Sequence, residues 1–371
     1  MELKDWEGIF MVDIRVFNEQ TLDDALDVVR NRFSESACQQ VRKLLGNPMR
    51  QVCPEVGDIA YEEGRPVAFQ AAIPRRVYVQ DKSFLGIAGG FLATKRGTSP
   101  ASWIGLMERT IAARHGSVVN FGNTAIPVTV KLNQMLGGVD GMGCPSCGIV
   151  RFVVLSWGRF ADFCLHGRLP SCLVHLVDWF GVLLRPFFFR RVRSKTVGAR
   201  IEVIDPRIFD QFWADYLKMN DGIVLSRTAE ELEWMFGDGL ASGRNILLVR
   251  EEGNRLCGYV VVRAMNAERT RWMVADWIAL GNDKDVLSDL LRDAVCCLRK
   301  ISSAAFLECI GFRMDVQDVI RRHLPFSRHA PNNSTSYKLH RPEMRHALET
   351  ADKQGWFFGP YDGDRCMTGS W

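Results

Sequence analysis

The chain has 371 residues, about two and a half times the usual length of one domain, so two domains are expected. At 47% hydrophobic and 24% charged residues, with no low-complexity tract, the composition excludes disorder, a collagen-like chain and a coiled coil as whole-chain descriptions. The balance of 47 basic and 43 acidic residues gives +4, too mild for a dedicated nucleic-acid binder.

Met1 to Asp5 carries acids and no apolar stretch, so no signal peptide is expected. An amphipathic helix is predicted over 22–33, capped by Thr21 and striped by Leu22, Ala25, Leu26, Val29 and Phe33. A second helix stops at Gly46-Asn47-Pro48. Strands are predicted at 59–62, 67–78 and 84–93, the first two joined by the turn Glu63-Gly64-Arg65-Pro66. The loop from Thr94 to Thr98 leads into a helix capped by Ser99, with Pro100 in first position and Trp103, Met107 and Ile111 on one side. A strand at 118–121, a helix at 128–136 and a strand at 149–157 follow.

The most apolar stretch, 169–189, is interrupted by His175, Asp178 and Arg185, so no spanning helix is predicted. Leu173, Leu176, Val177, Phe180 and Leu184 share one helical face, and Pro186 is expected to end that helix. Arg185, Arg190, Arg191, Arg193, Lys195 and Arg200 then form a basic run without an acid. Outside it 41 basic residues face 43 acidic ones, a net −2, so the basicity is one local patch. A buried helix linking two units is the preferred reading. The alternative is a peripheral membrane contact through 169–200.

The order then repeats. A short strand from Ile201 precedes a helix opened by Asp205-Pro206, and Thr228 with Glu231 begins another. Strands at 246–250, 256–263 and 273–280, a helix at 286–298, a strand at 305–310, a helix at 316–323 and a strand at 335–339 close the unit. Glu62-Glu63-Gly64-Arg65 matches Glu251-Glu252-Gly253-Asn254-Arg255 apart from one inserted Asn, which argues for duplication of one α/β unit.

This doubled order resembles the GNAT superfamily of acyl-CoA-dependent N-acyltransferases. The resemblance implies an α/β fold with a mixed sheet in each of two tandem GNAT-like units. Residues 1–160 form the acyl-CoA-binding unit, 161–199 an amphipathic and basic linker, 200–345 a degenerate second unit, and 346–371 a tail packing on that second unit. The family places Arg/Gln-x-x-Gly-x-Gly/Ala between strand 4 and the next helix. Here that place reads Arg96-Gly97-Thr98-Ser99-Pro100-Ala101, where Arg96 and Ala101 fit and Ser99 stands for the central glycine. The resemblance implies coenzyme binding by Lys95, Arg96, Gly97, Thr98, Ser99 and Ala101 at a helix N-terminus, a natural anion site. It implies Phe91 and Leu92 near the thioester and Asn123 on the pantetheine arm. Gly281-Asn282-Asp283-Lys284-Asp285 lacks the motif, and its two carboxylates would repel a pyrophosphate.

The family's amine attacks the thioester carbonyl directly, which needs a base, an oxyanion donor on strand 4 and an acid for the thiolate. Asp276 and Glu308, each among apolar sequence neighbours, are the catalytic candidates for the base. Many family members use a Tyr as acid, but none lies between Tyr78 and Tyr216. The acceptor implied is a primary amine, an amino sugar or amino-acid-like molecule. The Asp362-Gly363-Asp364 tail points toward the sugar.

Two rivals stand beside this reading. One is a Fem-like aminoacyl transferase, a family that usually carries a helical hairpin arm in its second unit; no such insertion is read here. The other is a non-catalytic acyl-CoA or glycan-binding module. No metal is expected, because Cys144-Pro145-Ser146-Cys147 with Cys164 and His166 fits no standard zinc array. No nucleic-acid partner is expected either. Eleven cysteines without a disulfide-like framework place the chain in the cytoplasm, or at the inner face of the membrane if 169–200 is an anchor.

Overall fold

The computed structural model describes residues 12–33, 35–79, 82–125, 131–132, 134–140, 149–188, 198–220, 222–310, 316–329, 334–341 and 356–357. After β1 (Asp13–Val16) come α1 (Leu22–Arg30) and α2 (Glu35–Leu44). Asn18, not Thr21, supplies the first cap: its Oδ1 accepts from Gln20 N at 2.9 Å and Thr21 N at 3.2 Å. β2 (Gly57–Glu62), β3 (Arg65–Val79) and β4 (Lys82–Thr94) form an antiparallel meander. Then follow α3 (Pro100–Ile111), β5 (Val119–Ala125), β6 (Val139–Asp140) and β7 (Ile149–Val154).

Two helices that pack as a hairpin come next, α4 (Trp157–Cys164) and α5 (Ser171–Phe188). Ser156 caps α4 by accepting from Arg159 N, a start within the predicted strand 149–157. This hairpin lies in the region predicted as the linker, ahead of the 200–345 unit. Pro186 does not end α5, which runs on to Phe188. No helix among the described residues is long and apolar enough to cross a membrane.

The second half contains β8 (Ala199–Ile201), α6 (Pro206–Met219), β9 (Ile223–Leu225), α7 (Ala229–Ala241), β10 (Asn245–Glu252), β11 (Arg255–Ala264) and β12 (Arg271–Ala279). After these come α8 (Lys284–Leu298), β13 (Phe306–Ile310), α9 (Gln317–His323), β14 (Phe326–His329), β15 (Ser334–Leu339) and β16 (Trp356–Phe357). Asp205 and Thr228 cap α6 and α7 as their spacing implies.

The sequence repeat is a structural one. β2–β3–β4, α3 and β5 recur as β10–β11–β12, α8 and β13, and in each set the fourth strand of the unit runs parallel to the fifth (β4 to β5, β12 to β13). The sheets, however, exchange strands across the middle of the chain. β15 pairs with β5 in the first sheet, ordered β1-β2-β3-β4-β5-β15-β6, while β7 pairs with β13 in the second, ordered β14-β7-β13-β12-β11-β10-β8. β9 joins the far end of β3, and Trp356–Phe357 of the tail joins β9. Periodicity reads each strand but not its partner, so units drawn at 1–160 and 200–345 do not coincide with the sheets. The largest core runs through the seam, uniting Phe69, Phe91 and Phe121 of the first sheet with Phe209 and Phe212 of α6 and Tyr259 of the second sheet. A second core lies between the second sheet and α8 and α9.

Candidate active site

The first sheet opens at one place. β4 is paired with β5 through Gly86–Val119, Ile87–Asn120 and Ala88–Phe121, and the strands diverge beyond although each continues for several residues. On its other edge β4 stays on β3 through a bulge. Ala71 faces Gly90 and Phe69 faces Ala93, so Phe91 and Leu92 stand opposite the single residue Gln70. Phe91 has a φ of 49°, a backbone region that a bulky side chain enters only when its surroundings hold it there. Its ring meets Phe33 edge-on at 6.4 Å, while Leu92 packs beside Met107, Ile111 and Leu132. The bulge therefore sits rigidly between two apolar layers where the sheet parts.

β4 then feeds the turn before α3. Gly97 takes a φ of 88° with open space where a Cβ would stand, a conformation that glycine adopts without strain. Thr98 Oγ1 donates to Lys95 O at 2.8 Å and lies 3.1 Å from Val67 O, tying the turn to β3. The Lys95 ammonium pairs with Asp27 of α1. Arg96 is exposed and enters no ion pair among the described residues. Ala101 is in the first turn of α3, and Asn123 lies on β5 across the opening, its side chain outside the described residues.

The N-terminus of α3 already holds an anion. Glu62 Oε1 accepts from Ser99 N at 2.9 Å and from Ser102 Oγ at 2.6 Å. Burial pulls this carboxyl upward, but the hydrogen bonds from Ser102 and Ser99 outweigh it and hold it below the usual carboxylate range. A pyrophosphate arriving at this helix end meets a resident negative charge, so the cations of the turn carry more of its binding. Sequence reading missed Glu62 because it is 37 residues from Ser99 and local spacing does not link the two.

The second sheet repeats the opening with different contents. β12 and β13 pair from Arg271–Phe306 to Met273–Glu308 and then part, and a bulge on β12 precedes Asp276. Asp276 and Arg227 are each 1% exposed. The carboxylate accepts from Arg227 Nε at 3.0 Å, Arg227 Nη2 at 3.1 Å and Tyr259 Oη at 2.7 Å. Arg227 follows β9, which pairs with β3, so this ion pair ties an edge of the first sheet to the second. Glu308 is fully buried, accepting from Arg271 Nε at 2.9 Å, Arg271 Nη2 at 2.6 Å and Arg328 Nη2 at 3.0 Å. The sequence neighbours of both carboxylates are apolar, but their partners in space are guanidinium groups. Each carboxylate thus ties separate segments of the chain together through its guanidinium partners. At the α8 N-terminus Asp283 Oδ1 accepts from Asp285 N at 2.8 Å, so that end is capped by its own carboxylate.

The strand exchange adds a residue that local reading could not supply. Tyr337 of β15 pairs opposite Phe121, the last β5 residue joined to β4, and is partly buried. The phenol missing from the first half of the sequence thus reaches the first sheet from the end of the second. Cys144 and Cys147 lie outside the described residues, and no group of His, Cys, Asp or Glu among the described residues forms a metal site.

No family model and no curated protein matches the chain by sequence. Solved structures match it by fold. A conserved Enterococcus faecalis protein of unknown function superposes with a TM-score of 0.56 at 11% identity, over 92% of this chain and 74% of that one. A GCN5-related N-acetyltransferase from Anabaena variabilis gives 0.54 at 9% identity, over 89% and 73%. The N-myristoyltransferase of Saccharomyces cerevisiae, with myristoyl-CoA bound, gives 0.53 at 13% identity, over 91% and 82%. The fold is therefore that of the GNAT-type N-acyltransferases, and both halves of the chain take part in it.

Proposed function

We propose that the protein transfers an acyl group from acyl-CoA to a primary amine, with the coenzyme held in the β4–β5 opening. The observation that carries this reading is the meeting, in one unit, of diverging parallel strands, a β4 bulge and a glycine turn at a helix N-terminus. In this reading Arg96, Lys95 and the amides of Gly97 and Ala101 hold the pyrophosphate, with Thr98 and Ser99 fixing the turn. Lys95 releases Asp27 to do so. The pantetheine arm passes between Phe91-Leu92 and Asn123.

The acceptor, an amino sugar or amino-acid-like molecule, attacks the thioester carbonyl as its free amine. The C–N bond forms, a β4 backbone N–H at the bulge stabilises the oxyanion, and the C–S bond breaks. The thiolate takes a proton from the Tyr337 hydroxyl, and the amine gives one up to solvent. The second unit contributes the acceptor side through the shared core.

The helical hairpin supports a second reading, aminoacyl transfer of the Fem-like kind, because that family's arm is also a helical hairpin. The two separate by assay: free thiol release from acetyl-CoA and longer acyl-CoAs against an amine panel, with aminoacyl-tRNA as the rival donor and calorimetric coenzyme binding in parallel. Turnover with acyl-CoA is the expected result. Binding without turnover would make the protein an acyl-CoA-binding module, and neither binding nor turnover would overturn the proposal.

A further inference from the structure

The α4–α5 hairpin turns an apolar face to solvent. Leu173, Leu176, Trp179 and Phe180 follow a three- and four-residue spacing along α5, and Trp179 and Phe180 are 60% and 53% exposed. The preferred sequence reading buried this helix between units; instead only its other side is covered. That side packs on α4, where Val174 is buried and a Cβ on Gly158 would fall 2.0 Å from Val174 O, so only glycine allows the approach. The outward stripe is therefore not a remnant of poor packing within the hairpin.

Charge selects what covers it. Asp178 turns inward, accepting from Ser156 Oγ at 2.8 Å and Gly158 N at 2.9 Å, and Asp162 accepts from Leu169 N at 3.1 Å. The exposed polar residues of the hairpin include Arg159, His166, Arg168 and His175, and no acid in it is exposed. In the sequence, the stretch from Arg185 to Arg200 holds six basic residues and no acid. A second copy of this surface would meet like charge. A nucleic-acid backbone would engage the cations but leave the aliphatic stripe unsatisfied. An anionic lipid surface meets both, taking apolar side chains into the acyl boundary while phosphates pair with the bases.

We propose that the α4–α5 hairpin docks the protein on an anionic membrane surface. α5 is not long and apolar enough to cross a membrane, so in this proposal it lies along the interface. The proposal is independent of acyl transfer.

The test is co-sedimentation of the full chain with phosphatidylcholine vesicles containing about 30 mol% phosphatidylserine, beside pure phosphatidylcholine, at low and high salt. Binding to the anionic vesicles, weakened by salt and faint on neutral ones, is expected. Trp179→Glu with Phe180→Glu should lower the partition at least about tenfold. Arg159→Glu with Arg168→Glu should remove most of the salt dependence. Unchanged circular dichroism and melting temperature show that the fold is intact, and Leu176→Ser serves if the double variant does not fold. Absence of anionic-vesicle binding, equal binding to neutral vesicles, or a dimer that the Trp179→Glu/Phe180→Glu variant dissolves would overturn the proposal. So would RNA binding with no vesicle binding.

Discussion

Arg227→Met tests whether Asp276 is a structural or a catalytic carboxylate. The substitution keeps most of the side-chain volume but leaves the Asp276 charge with Tyr259 alone, in a site where both partners are essentially unexposed. It also removes the bond from Arg227 Nη1 to Leu225 O, made at 2.7 Å. Breaking one side of a buried pair costs about 3–5 kcal/mol. At about 2–4 °C per kcal/mol for a unit of this size, the second unit should melt roughly 6–20 °C lower. Asp276→Asn should fall in the same range, because Arg227 then loses the carboxylate it bonds. Arg227→Met combined with Asp276→Leu and Tyr259→Phe removes every member together and should recover most of the loss. Melting followed by circular dichroism, with kcat and KM on the same samples, reads the outcome. If Asp276→Asn melts like the parent and loses kcat, Asp276 is a catalytic group and the structural assignment falls.

The remaining predictions concern the first unit and one titrating group. Arg96→Ala should weaken coenzyme binding by about 10- to 100-fold, the worth of a charge-assisted contact, while Lys284→Ala at the other helix should leave calorimetric affinity unchanged. Glu62→Gln removes the anion resident at the α3 N-terminus, so coenzyme affinity should rise and stability should drop by about 0.5–1 kcal/mol above the usual carboxylate pKa; the loss should vanish in acid, where the native Glu62 is protonated as well. Tyr337→Phe should lower kcat by about 100-fold or more with little change in KM, and an unaffected kcat would remove Tyr337 as the acid. Burial, then the charges of Arg292 and Arg322, pushes His323 down from 6.5 to about 4, its ring bonded to Ser288 Oγ at 2.7 Å. The unfolded chain therefore binds a proton that the folded one refuses, and stability should fall as pH drops from about 6.5 toward 4, a slope that His323→Gln should flatten in a pH series of melts.

Local chemistry made the first unit legible. Alternating strands, the turn at Glu63-Gly64 and Pro100 after Ser99 each act within a few residues, and each element stands where those signals put it. What the sequence left hidden depends on partners far along the chain. The Arg227–Asp276 contact spans 49 residues and Ser99–Glu62 spans 37, and nothing in the spacing of either pair marks it. The exchange of β7 and β15 is hidden for the same reason: an apolar strand shows which face it buries but not which sheet receives it. α5 carries the argument furthest. Its stripe is equally consistent with a protein core and with a lipid surface, because both reward the same periodicity. The inward turn of Asp178, the room that Gly158 leaves for the other side of the helix and the exposure of Trp179 separate the two cases. Amphipathicity specifies that a face needs an apolar neighbour, and only the assembled chain shows whether the protein supplies it.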